Sequence, residues 1–468
     1  TAQSRLSNIA GVTNVLSDQP GYALGNALGI LEAGSLQILA RGITSAEARA
    51  VTSTSVSLVT VGGLISLAQT FDSNSFLLNH TKMIISGLLK AESYGSTQSY
   101  AYLESPVSVA GFSGESASAD ARVGIDDSSR QTAAGKVNNA DIKTSGDIAL
   151  FAHQIGTAKA EVRRGASVSA VGLKNTSLPT KSYYETKITL KDSTLFSEGD
   201  ISIRLKDHAT ADSHANGTSI GFAVSADTTK GSNSVNQLST MTVMDTSVFA
   251  RESLSLLSES NARLNATTHA DGGGFFSGSA VKADNTLYRS MSITITGNSI
   301  LESDFGDFSI KALGGLSDWI NTDAEISTGG VVDLADSSTT TTVTNNVTIN
   351  VLGSASLKSI FNRLTIYADA SSDYINLYSK TSAKGLGVGP DVYANVSVMS
   401  LSPKIYISGS AAESVHIAAR SLDIRSGIGS LYLYAYSYAS GKALGVDVYS
   451  NSRAETHISV ATSVSNAS

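Results

Sequence analysis

The chain has 468 residues and no cysteine, which excludes a disulfide framework, a thiolate metal site and a cysteine nucleophile. Its formal net charge of −7 is mild, and the lack of any Lys/Arg-rich run disfavours a nucleic-acid groove. Hydrophobic residues make up 41%, too many for a disordered chain, and no apolar run reaches the roughly 18 residues of a membrane helix.

Residues 1–33 read as a partial repeat or an N-terminal cap, with a short capping helix over residues 23–31 as the alternative. The first residue is Thr1 and no signal peptide is visible, so the chain is expected to be processed or cut from something longer. Residues 34–468 read as one continuous repeat domain. Its first clear unit opens at Gly34-Ser35-Leu36-Gln37-Ile38. Ala46 to Ala50 has helical composition but occupies a place where other units carry strand. Ser57 to Ala68, interrupted by Gly62-Gly63, reads as two buried strands, and residues 128–144 read as mostly turn.

The regular part begins at Ile148. Gly-Asp followed by alternating apolar residues recurs as Gly146-Asp147-Ile148-Ala149-Leu150, Gly199-Asp200-Ile201-Ser202-Ile203 and Gly306-Asp307-Phe308-Ser309-Ile310. Such alternation is the period of a half-buried strand. Taking the first apolar residue as anchor gives 148, 201, 254, 308, 364 and 422, with Leu36 fitting well upstream and Leu88 less well. A closing strand recurs as Ile188-Thr189-Leu190, Met241-Thr242-Val243, Ile293-Thr294-Ile295 and Val347-Thr348-Ile349. Thr339 to Thr342 reads as an exposed β-ladder. In the last unit Tyr432, Tyr434, Tyr436 and Tyr438 alternate with Leu431, Leu433, Ala435 and Ser437, so all four rings share one face.

A period near 50 residues points to a solenoid, a propeller or a tandem array. One tryptophan is few for propeller blades, and no 3.6-residue apolar period supports helical repeats. The expectation is an all-β parallel β-helix, or β-solenoid, of about eight imperfect 52–60-residue repeats. Each unit would hold two or three coils, giving a rod on the order of 80–120 Å.

The units have an Ile-x-Ile strand after Gly-Asp, an Ala/Ser-rich segment, a Gly turn with an Ala-Val pair (Gly221-Phe222-Ala223-Val224, Gly278-Ser279-Ala280-Val281) and a Thr-x-Val strand. In this style the chain resembles large repetitive bacterial surface proteins of the filamentous-haemagglutinin-like and leukotoxin-type filamentous adhesin kind. The resemblance covers roughly residues 34–468. It implies a right-handed β-helix exported to the surface of a diderm bacterium.

Candidate chemistry is sparse. Asp207-His208 and Asp212-x-His214 form the densest His/Asp group, but 208 and 214 lie about 20 Å apart along one strand, so a solvated face explains them better than a metal site. Asp271-Gly272-Gly273-Gly274 resembles a calcium-binding repeat only once and reads as a flexible loop. Gly385-x-Gly387 precedes no helix, so it makes no phosphate loop. Asp200, Asp227, Asp284 and Asp307 recur as corner residues would, where an enzyme would need acids converging in a groove. The tyrosine ladder is the best contact surface, either for sugars or another filament, with plain cross-strand stabilisation as the alternative.

These readings point to a non-enzymatic, structural and adhesive segment or subunit of an extracellular bacterial fibre, needing no cofactor and no metal. It would act as a rigid stalk and contact surface. Its partners would be neighbouring copies of the chain, the rest of a longer fibre, or host or cell-surface glycans and proteins, without nucleic acid or membrane insertion. The alternative is a β-helical carbohydrate-active enzyme or tail-spike-like depolymerase.

Overall fold

A computed structural model describes residues 2–8, 12–15, 30–52, 55–105, 107–124, 126–409 and 414–468. The described residues form strands and turns with no helix, and the strands join one parallel sheet. The architecture is solenoid-like. Residues 23–29 of the alternative capping helix lie outside the described residues. Ala2–Asn8 pairs parallel with residues 66–72, and Ile30–Ala33 with residues 82–85.

The anchors stack residue on residue. Leu36 pairs with Leu89, Leu89 with Ile148, Ile148 with Ile201, Ile201 with Leu254, Leu254 with Phe308, Phe308 with Leu364, and Leu364 with Leu422. The upstream anchor is therefore Leu89, one residue beyond the sequence reading. In the last closing strand Ile293 pairs with Ile349 rather than Val347, a shift of two that keeps the same face inward.

This register corrects the expected winding. A residue finds its backbone partner one whole repeat away, so each 53-residue unit is a single rung and not two or three coils. The seven steps from Leu36 to Leu422 then rise only about 34 Å at ~4.8 Å each. The length goes sideways instead. Ile201–Met244 is one unbroken 44-residue strand, as is Ile148–Lys191. Inward and outward residues alternate along almost all of it, because one face is packed and the other solvated.

Each long strand doubles back on itself as an arch whose two arms meet through side chains. Asp207 faces Gln237 and Ser239, and Ser219 faces Ser225 at the tip. The arms make their backbone bonds only to the rungs before and after. At the base, Asp245 turns the chain with φ 48° into the short strand Ser247–Ala250, which closes a three-sided core of Ile203, Leu205, Met241, Val243 and Val248. The same left-handed turn is made by Asn139 and Asp192, and by Gly297 and Gly353 with φ of 69° and 75°. These residue types tolerate that region best, which explains the small polar or glycine signal after each closing strand.

The Gly-Asp signature before Ile148, Ile201 and Phe308 has a different origin. The Asp147 carboxylate accepts the Asp200 backbone N–H at 2.9 Å, and Asp200 accepts that of Ser253 at 2.8 Å. The aspartate thus ties one turn to the next along the axis.

Several segment readings change. Residues 128–144 contain the strands Gln131–Asn138 and Asp141–Thr144. Ala46 to Ala50 lies in the strand Leu36–Val51, as its place among the other units implied and against its helical composition. Ser57 to Ala68 belongs to one strand, Ser55–Asn79, that passes over an arch tip, leaving Leu58 86% exposed rather than buried. In the threonine run only Thr340 and Thr342 face outward; Thr339 and Thr341 are buried. Gly272 to Gly274 is strand paired with residues 328–330, not a flexible loop.

Candidate contact surfaces and buried polar sites

The four tyrosines lie in the strand Leu431–Lys442 on its outward face, each between 38% and 52% exposed. Their rings continue columns that begin in earlier rungs. Tyr432 stacks on Tyr374 at 5.3 Å with planes 2° apart, and Tyr436 on Tyr378 at 5.5 Å. Tyr374 in turn pairs with Trp319, over whose ring the Arg263 guanidinium lies at 4.8 Å. Tyr434 caps a ladder of amides. Asn376 donates to Asn321 at 2.8 Å, Asn321 to Asn265 at 3.0 Å, and Asn265 to Asp212 at 3.0 Å. Tyr438 pairs with Lys380, which forms an ion pair with Glu325. In-register stacking of this kind satisfies amide donors and aromatic faces along one axis. The arrangement offers flat rings beside amide and ionic groups. Glu325 and burial together hold the Asp323 carboxyl up at about 6, and burial is the larger cause.

The His/Asp group separates by face. Asp207 points inward, whereas His208, Asp212 and His214 point outward along one line. Among the described residues no three His, Cys, Asp or Glu side chains converge at metal-ligand geometry. The four aspartates also divide. Asp200 and Asp307 sit at turns, where each carboxylate accepts a neighbouring rung's backbone N–H. Asp227 and Asp284 are not corner residues but lie inside long strands, Asp227 buried and Asp284 beside Lys230 and Lys282. The reason is their position in mid-arm, where the period of two, not the turn, decides direction.

Alternation alone did not reveal the buried polar layer between the base core and the arms. Arg289 and Asp318 form a fully buried pair, with Nη2 to Oδ1 at 2.8 Å and Nη1 to Oδ2 at 2.9 Å. Arg289 also donates to Gln237 Oε1 and Ser260 Oγ, and Gln237 donates to Asp207 Oδ1 at 2.8 Å. Ser239 and Ser260 hydroxyls complete the shell of Asp207. Burial raises the Asp207 carboxyl to about 6 against these hydrogen bonds. Every group sits in a different rung from its partner or on the facing arm, so the layer fixes rung-to-rung register as well as arm-to-arm distance. A signal for it exists in the sequence: Gln237 and Arg289 lie one repeat apart, as do Asp207 and Ser260.

A second buried group lies near the arch tips of the first rungs. Arg164 lines a cavity of about 270 Å³ with Thr60, Ser105, Ser108 and Glu115. Its Nη2 donates to the Asn175 carbonyl at 3.3 Å, while Nε and Nη1 have no partner. Lys174, buried nearby, donates to the Thr218 carbonyl, and burial lowers its ammonium to about 8.

The arch tips carry apolar side chains in register, exposed except for the half-buried Val171. Val59, Phe112, Val171, Val224, Phe276 and Val332 pair in sequence along the axis. Beside them Phe222 is 75% exposed and Leu334 61%. A surface groove of about 580 Å³ runs between Phe222 and the backbone of Gly272 to Gly274. Comparison with protein-family models, with curated proteins and with solved structures gives no significant match to this chain.

Proposed function

We propose that the chain is a structural and adhesive segment or subunit of an extracellular bacterial fibre, built as a right-handed parallel β-helix of about eight imperfect 52–60-residue repeats. The observation that supports this most directly is the continuous stacking of the anchors from Leu36 to Leu422, which gives a stiff stack of like rungs. The strands Leu431–Lys442 and Tyr449–Ile458 pair on one side only among the described residues, so their other edge offers backbone donors and acceptors for a further rung. Another rung of the same fibre, from this chain's neighbour or a longer parent, covers that edge. The Tyr432, Tyr434, Tyr436 and Tyr438 face is the contact surface for glycans or a neighbouring fibre, since flat rings beside amide groups suit sugar faces.

Negative-stain electron microscopy of the purified chain tests the fibre. The expected image is a fibre with a subunit rise of about 40 Å, each subunit wider than it is tall. Particles that stay single at every concentration and never meet end to end would remove the fibre reading.

A further inference from the structure

The arch tips carry a column of apolar side chains along the axis. Ordinary soluble chains scatter exposed apolar residues singly; a continuous strip of them marks an interaction site. Here the strip is continuous because the register forces it: the pairs Val59–Phe112, Phe112–Val171, Val171–Val224, Val224–Phe276 and Phe276–Val332 place an apolar residue on the same tip in six successive rungs. None of it contributes to the three buried cores. The tip segments 109–113, 168–172, 220–224, 272–276 and 329–332 contain no charged residue.

We propose that this ridge pairs with the same ridge of a second copy of the chain. Two properties select that occupant. The ridge repeats at the strand spacing of about 4.8 Å over six rungs, and another such ridge matches it in period at every step. It is also uncharged along its length, so a like surface meets no repulsion. A two-fold arrangement makes the contact self-complementary, each copy giving the same patch. The groove beside Phe222 then receives apolar side chains of the partner, and the edge-to-face pair of Phe275 and Phe276, 5.0 Å between centroids, stands next to it as the projecting element. A strip about 24 Å long and five residues wide covers on the order of 400 Å² per copy, below the ~800 Å² of a standard stable interface. Pairing of single chains is therefore weak and concentration-dependent, and it strengthens as rungs are added along an axis. This association needs no end-on stacking, so it stands or falls separately from the fibre.

Sedimentation velocity over a concentration series tests it, with the wild-type chain beside the double variant Phe222→Ser, Phe276→Ser. Both rings point outward, so the variant keeps its circular dichroism and melting midpoint. The wild type is expected to shift reversibly from one mass to twice that mass. The variant should need roughly ten- to hundred-fold more protein for the same shift. Because the chain has no cysteine, a second measurement is independent of variant stability. Ala223→Cys at the ridge should oxidise to a disulfide-linked dimer, and Ser202→Cys at the far end of the rung should not. A wild type that stays monomeric throughout overturns the proposal, as does equal cross-linking at both positions. Binding of the wild type to neutral phosphatidylcholine vesicles, lost in the double variant and without any self-association, would overturn it in favour of a lipid partner.

Discussion

Asp207 shows how a single residue's direction follows from the strand period and its partner from the repeat. Adjacent to His208 in sequence, it lies on the opposite face, buried among Gln237, Ser239 and Ser260. Its folded carboxyl titrates near 6, above the ordinary value of 3.8, because burial penalises the anion more than the hydrogen bonds favour it. The native state therefore holds a proton that the unfolded chain releases between about pH 4 and 6. The stabilising protonated state is complete below about 4 and is lost as pH rises through about 6. Asp207→Asn keeps the acceptor for Gln237 and removes the charge. Denaturant melts should show that the variant loses part of the pH dependence in this window, and that it gains on the order of 1–3 kcal/mol relative to wild type at pH 7. Unchanged pH dependence would place the titration elsewhere. The sequence reading put Asp207 on a solvated face with His208; the alternation that continues from Ile201, Ile203 and Leu205 turns it inward instead. Arg289 reaches it through Gln237, and nothing local in the sequence connects residues 207, 237 and 289.

Elements were legible where turn chemistry and alternation agreed. The anchors at 148, 201, 254, 308, 364 and 422 stack as their spacing implied, and the Gly-Asp before 148, 201 and 308 ties each of those turns to the next. Glycines misled elsewhere. Gly272 to Gly274 reads as a loop by composition, yet Gly221, Gly274, Gly330 and Gly385 form a column at the arch tips, where a Cβ on each of the last three would collide with the carbonyl oxygen of the glycine one rung earlier. These residues are there for close approach of backbones, not for flexibility. Gly274→Val should lower stability by roughly 2–3 kcal/mol, measured by thermal or denaturant unfolding. A neutral effect would mean that the tips are looser than the column implies. The tip at Leu58 was misread as buried for a related reason: an apolar run tells how a strand pairs, not whether a second layer covers it.

For the whole molecule, period was legible and winding was not. A 53-residue repeat fits either one wide rung or several narrow coils, and only the pairing of Ile148 with Ile201 and Ile201 with Leu254 decides for the first. The consequence is testable by excision. Removing residues 201–253 joins Asp200 to Leu254, and Ile148 then meets Leu254 in the register that Ile201 held. That variant should fold cooperatively with one rung fewer and a similar melting midpoint. Deleting Ser234 alone inverts the faces of the rest of its arm and turns Met241 and Val243 outward, at a cost of about 1.5–3 kcal/mol for each. If the single deletion proved milder than the excision, the rung would not be the structural unit.

The left-handed turn after each closing strand has a kinetic consequence. It hands the chain on to a new rung whose every backbone partner is already in place one repeat behind. The sequence separation of paired residues is thus near 53 in a chain of 468, a relative contact order of about 0.11, in the range of helical bundles rather than β-sandwiches. A sheet this large can therefore grow by addition, each repeat zipping onto a finished edge as it emerges, with no search across the whole chain.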